Sequence, residues 1–315
     1  MKRTLYLFGI LANPGSSINK RKSEKQLGKT YSIRGIYCLL LTAHCFLTVF
    51  SQQQSTEIQT IIAEGKLLYH SEMASWHGND IFLEKYKKDN IAGYFSYREG
   101  VFSKCIFYSN ADRPRVIGTV RFDTTYNPQT AGIDLTERDF TPKENELYML
   151  RENALDEIDA DTFFKSYPNT DLDLVPLING NQRKVYVLTA SQQDSMVLLG
   201  NDYLLSFDMN NKLLAKKRLH QDLITIYFNE KDGMQAEETM HEHLPETGDL
   251  ITATDICTLM LYERFTKWKM HRVNSKGFLN IWNCATDQLT VISKDRPERL
   301  TKDLVRRSRK RGDPE

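Results

Sequence analysis

The chain has 315 residues, 40% of them hydrophobic, 10% aromatic and 26% charged, with a formal net charge of +1. These proportions are those of a folded, water-facing protein and exclude wholesale disorder, collagen-like repeats and coiled coil. The near-zero total hides an asymmetry: residues 1–51 hold eight Lys/Arg against Glu24 alone, residues 296–315 hold eight against four acids, and residues 52–295 therefore carry −10. An acidic body repels a phosphate backbone, so no nucleic-acid partner is expected, and anionic substrates are disfavoured.

Ile36–Phe50 reads IYCLLLTAHCFLTVF, an apolar run preceded by Lys29 and Arg34 and followed by Ser51. It is short for a membrane span and has the layout of a secretory signal, so residues 1–51 are expected to be a signal peptide or an uncleaved anchor of an exported protein. Past it lie Cys105, Cys257 and Cys284. Three scattered cysteines without a CxxC spacing suit core burial better than disulfides or a thiolate metal site.

Residues 56–75 carry Ile58, Ile61, Ile62 and Leu68 at helical spacing, with an end expected at Trp76-His77-Gly78. The runs GYFSYREG, VFSKCIFYS and RVIGTVRFDTTY, broken by turn residues, predict a small antiparallel sheet. Thr141-Pro142-Lys143-Glu144 is a capping box, and Leu147, Leu150, Ala154 and Ile158 mark one face of the helix it opens. Asp, Asn, Pro and Gly dominate 160–183, which predicts a connection between an N-terminal α+β region (52–165) and a second unit (180–295). That unit opens with KVYVLTA and continues through VLLGNDYLLSFD, KLLAKKRLH and LITIYF as hairpin-like strands. ICTLMLYERFTKWKM then predicts a helix, GFLNIWNC a closing strand, and 296–315 a solvated basic tail. The fold class expected is α+β.

The chemistry-bearing constellation is His241-x-His243, whose strand spacing aims both imidazoles at one point, followed by Thr252 and Asp255 at the start of the helix. Two imidazoles and a carboxylate make a three-ligand metal set with one open position. HSEMASWHGND offers a weaker cluster in His70, Glu72, His77 and Asp80, with Ser71 and Ser75 beside it. Asp156, Glu157, Asp159 and Asp161 form an acidic run that lacks the residues of a calcium loop.

His241-x-His243, Thr252 and Asp255 together resemble the motif of the JAMM (MPN-type) zinc metalloproteases and isopeptidases, H-x-H-P followed by S-x-x-D. The resemblance covers about residues 180–290 and implies zinc on His241, His243 and Asp255, with Thr252 supporting the oxyanion. It implies an exported zinc-dependent peptidase or isopeptidase acting on a peptide or protein substrate. The alternative is a non-catalytic JAMM-like binding or scaffold module. The family's general base is a glutamate on an upstream strand, yet residues 158–229 contain no Glu, which leaves Glu72 and Glu99 as candidates, while Glu242 points away from the ligand face.

Overall fold

The computed structural model describes residues 33–228, 236–295 and 298–310, with side chains from residue 54 onward except those of residues 298, 299 and 310. Two compact units divide after Gln52. Within the described residues the first is the opening part of helix α1 (Ile33–Lys85). Residues 1–32 of the expected leader lie outside the described residues, and the apolar run 36–50 falls within α1. Among the described residues no helix is long and apolar enough to cross a membrane. All further description concerns the second unit.

The architecture is α+β. Strands β1 (Ile91–Glu99), β2 (Phe102–Ser109), β3 (Val116–Phe122) and β4 (Gly132–Asp134) form an antiparallel meander. Helix α2 (Pro142–Ala160) follows, closed by the expected capping box: Glu144 N donates to Thr141 Oγ1 and Thr141 N to Glu144 Oε2. Glu144 is also buried, and the Arg138 guanidinium grips both its oxygens at 2.6 and 2.9 Å. Leu147, Leu150 and Ala154 are buried, and Ile158 packs beside them, so the predicted face is the packed face.

A second antiparallel sheet has the order β5 (Thr170–Asn179), β6 (Gln182–Ser191), β8 (Tyr203–Phe207), β9 (Leu213–Arg218), and β7 (Met196–Gly200) pairs separately with β10 (Leu223–Tyr227). The last sheet runs β11 (Glu238–Glu242), β12 (Met270–Asn274), β13 (Phe278–Asn283), β14 (Gln288–Ser293). Its β11–β12 pair is parallel, so a crossover is required, and helix α3 (Ala253–Thr266) provides it.

Three features depart from the sequence reading. Helix α1 runs through Gly78 to Lys85 instead of ending there. A Cβ at Gly78 would come within 2.8 Å of Cys105 Cβ, so this glycine serves close packing of the helix on β2 and not a left-handed cap. One core spans the expected 160–183 boundary: Leu68 and Phe107 belong to the same buried cluster as Tyr186, Ile256 and Trp282. Within the supposed tail, Glu298–Lys310 form helix α4, with Leu304 and Val305 packed on Met270, Ile281 and Ile292. Its apolar residues lie one helical face apart among many charges, so composition hid an amphipathic helix. Cys105, Cys257 and Cys284 are free and buried.

Candidate metal centre

Period-2 geometry buries His241 and His243 while leaving Glu242 exposed between them. His241 sits on β11 opposite Val273, and His243 N extends the ladder by donating to Asn274 O. The chain then turns at Leu244–Gly248, where Thr247 N and Gly248 N both donate to Leu244 O. Asn280 Nδ2 and Ser275 Oγ donate to Asp249 O, tying the loop to the β12–β13 connection. From there Thr252 caps α3: its Oγ1 accepts from Asp255 N at 3.0 Å and donates to Asp255 Oδ2 at 2.8 Å, and Thr252 N donates to the same oxygen at 2.9 Å. The capping box thereby occupies Oδ2 and leaves Oδ1 buried without a hydrogen bond.

His220, between β9 and β10, completes the cluster. Leu219 N donates to Asp202 O and Asn201 N to Asp222 O, which clips this segment to the β7–β8 turn. Gly200 in that turn has φ +92°, and a Cβ there would lie 2.2 Å from Asp222 O, so the clip requires glycine. His220 Nε2 is 3.1 Å from His243 Nε2 and 3.3 Å from Asp255 Oδ1. His241 Nε2 is 3.6 Å from Asp255 Oδ1, and His243 Nε2 is 3.3 Å from Asp255 Oδ2. One ligand atom from each of the four residues lies within 4.8 Å of every other, and no side chain of the four is more than 5% exposed.

A tetrahedral ion bonded at 2.0–2.1 Å spaces its ligands by about 3.4 Å, the scale of these separations. The donor set fits a divalent cation in two further ways. His241 Nε2 and Asp255 Oδ1 are buried polar atoms with no hydrogen-bond partner, an arrangement that is costly unless something binds there. Charge also balances, because the buried Asp255 and Asp202 carboxylates neutralise a dication held by three neutral imidazoles.

Without an ion the cluster must supply its own positive charge. Burial pulls the His220 imidazolium down, yet the Asp255 and Asp202 carboxylates push its pKa up to about 10. Burial would raise the Asp255 carboxyl, but His220 and His241 hold it well below the usual carboxylate range. His241 is drawn down to about 4, chiefly by burial.

Outer contacts orient the ligands. His241 Nδ1 lies 2.7 Å from His271 Nε2, and His271 Nδ1 lies 2.8 Å from Thr239 Oγ1. Burial first, and His241 second, lower His271 to about 3, so it is neutral and has one N–H to give. The consistent assignment has His241 Nδ1–H donating to His271 and His271 Nδ1–H donating to Thr239, which frees His241 Nε2 to bind a cation. Asp202 Oδ2 lies 3.4 Å from His220 Nδ1 and is steadied by Thr189 N on Oδ1.

The structure brings His241, His243 and Asp255 together with Thr252 beside them. The sequence reading missed His220, Asp202 and His271. A lone histidine 21 residues before His241 gives no spacing signal; the hint present in the sequence was Gly200-Asn201-Asp202, a turn whose glycine admits the close approach of the His220 segment. Neither candidate base is at the centre. Glu99 is exposed and pairs with Lys104 at 2.6 Å, and Glu72 lines a separate cavity with Asp173.

Several of the other sequence candidates have structural partners. His70 Nδ1 meets Tyr126 Oη at 2.6 Å, and Ser71 Oγ donates to Ser96 O. Lys216 Nζ bridges Glu157 and Asp161 at 3.2 and 2.7 Å. No family model, curated protein or solved structure matches the chain.

Proposed function

We propose that the chain is a zinc-binding protein of JAMM-like layout whose metal is held by four protein ligands, and that it works as a non-catalytic binding or scaffold module. The observation that carries this reading is His220 Nε2, 3.1 Å from His243 Nε2 and 3.3 Å from Asp255 Oδ1. It occupies the corner that a three-ligand catalytic site keeps open, and closed four-ligand sets are the mark of structural zinc. Imidazole and carboxylate donors at tetrahedral spacing favour zinc among the common divalent ions. The carboxylate facing the cluster from upstream, Asp202, lies against His220 Nδ1, on the far side of that ring from the cation position. It orients a ligand in place of serving as a base.

The order β11, α3, β12, with His241 on the first strand, His243 directly after it and Asp255 in the first turn of the helix, supports the JAMM-like layout. The basic flank and apolar run before residue 51 support export or tethering. The partner is proposed to be a peptide or protein.

The peptidase reading is the second possibility. In its favour, His220 lies on the irregular connection between β9 and β10, whereas His241 is on β11, His243 directly follows it and Asp255 is in the first turn of α3. Elemental mass spectrometry on protein prepared without chelator, with the cobalt(II) absorption spectrum, separates the two. The wild-type chain is expected to hold one zinc, to show the intense bands of four-coordinate cobalt, and to leave peptide and isopeptide substrates intact. His220→Ala is expected to weaken zinc binding by more than the roughly 10-fold to 100-fold that loss of an outer contact costs, because it removes a direct ligand. Metal-dependent hydrolysis by the wild-type chain, or its appearance in His220→Ala, would support the peptidase. A wild-type protein that takes up no zinc would overturn both readings.

A further inference from the structure

Further along α3, one and two turns beyond Asp255, Thr258 and Tyr262 wall a cavity of about 360 Å³ that the metal centre does not use. Helix α1, β1, β5 and the β6–β7 turn close the other sides, and the volume lies in the range of small-ligand sites. Four carboxylates line it, among them Glu72 from α1 and Asp173 from β5. Among the described residues neither of these two accepts a hydrogen bond or pairs with a cation within 4 Å, and both are partly exposed where they line the cavity. Burial, with Asp173 adding to it, pushes the Glu72 carboxyl well above its ordinary range, and burial with Asp171 raises Asp173 to about 6.

Aromatic rings form the walls. Tyr94 and Tyr262 line the cavity, and Trp76, 43% exposed at the rim, lies 6.3 Å from the Tyr262 ring. Asp80 and Asp194 add acidic groups, and no Lys or Arg lines the space. Arg151 lines a smaller adjoining cavity of about 80 Å³ and pulls Asp173 downward, but its Nη1 is engaged by Tyr108 Oη and Glu152 Oε1 at 2.8 and 2.9 Å.

We propose that this cavity binds an alkylammonium group, its positive end against Glu72 and Asp173 and its carbon chain against Tyr94, Tyr262 and Trp76. Carboxylates neutralise the charge while the aromatic faces attract the cation through their ring quadrupoles and cover its carbon chain. A bare divalent ion would need six or more oxygen ligands and would leave the rings and most of the volume unused. The ammonium comes either from a free amine or from a lysine side chain of a peptide. This inference stands apart from the metal reading.

Isothermal titration of the full chain as purified, at pH 7.5, tests it, with n-butylammonium, Nα-acetyl-lysine methylamide and, as a neutral control, n-butanol. Saturable binding is expected for at least one of the two cations, and binding of only one identifies the source. Butanol is expected to bind at least about tenfold more weakly, and Glu72→Gln/Asp173→Asn to lower cation affinity by about tenfold or more, the scale of a lost charged contact. Trp76→Ala, at the rim of the cavity, is expected to weaken binding several-fold in a variant whose circular dichroism matches the wild-type chain. Butanol binding as well as butylammonium, undiminished affinity in the folded double variant, or no heat from either cation would overturn the proposal.

Discussion

Glu263 lies on α3 two turns beyond Asp255, with one carboxylate oxygen buried and without a hydrogen-bond partner, and a buried oxygen of Asp287 shares that condition. Burial first, and the Asp287 charge second, raise the Glu263 pKa to about 8, against an ordinary value of 4.5. A carboxyl raised on folding keeps its proton in the folded chain after the unfolded chain has lost it. The folded state then binds more protons between these two values, and stability falls as pH rises from about 4.5 to about 8. Glu263→Gln is expected to remove that part of the decline, seen as a melting temperature that drops less between pH 5 and pH 8 than in the wild-type chain. An unchanged pH profile would mean the carboxyl is not strained. Legibility at this scale followed spacing. His241, His243 and Asp255 were readable because a strand period and a helix cap place them predictably. His220 and His271 were not: His271 reaches His241 only through the β11–β12 pairing across 30 residues, and His220 reaches His243 only through tertiary packing of the β9–β10 connection across 23 residues.

Helix α3 shows how an element can serve folding and the site through one set of bonds. Thr252 caps the helix and holds Asp255 Oδ2, so loss of its hydroxyl removes a cap and loosens a ligand together. Thr252→Ala is expected to cost about 1 kcal/mol of apo stability, the usual worth of a cap, and to lower zinc affinity as well, whereas Thr252→Ser restores both. Chemical denaturation with and without zinc checks this; a Thr252→Ala variant with unaltered zinc affinity would confine the residue to capping. The α2 capping box was equally plain from Thr141 to Glu144. The end of α1 was misread because Gly78 looks the same in a sequence whether it ends a helix or admits a neighbour, and Cys105 decides which. The amphipathic face of α4 disappears in a 20-residue charge count, since Leu304 and Val305 are two residues among many charges.

At the scale of the molecule, the α+β class followed from alternating and helical patterns, but the boundary near 160–183 did not survive, because turn-rich composition marks exposed chain whether or not the core continues beneath it. The four proposed ligands come from segments that become neighbours only when β9, β11 and α3 have docked, and each is nearly sealed from water. A chelator in solution therefore cannot reach the ion in the closed molecule. Zinc loss is expected to approach a rate that no longer rises with chelator concentration, because opening of the fold limits it. A stripping rate linear in chelator to high concentration would indicate a path to the centre from the surface. On the proposed reading, the burial of the His220 cluster bears on the history of each molecule: an ion would enter while the chain is assembling, and a copy that closed without one would stay empty until it next opened.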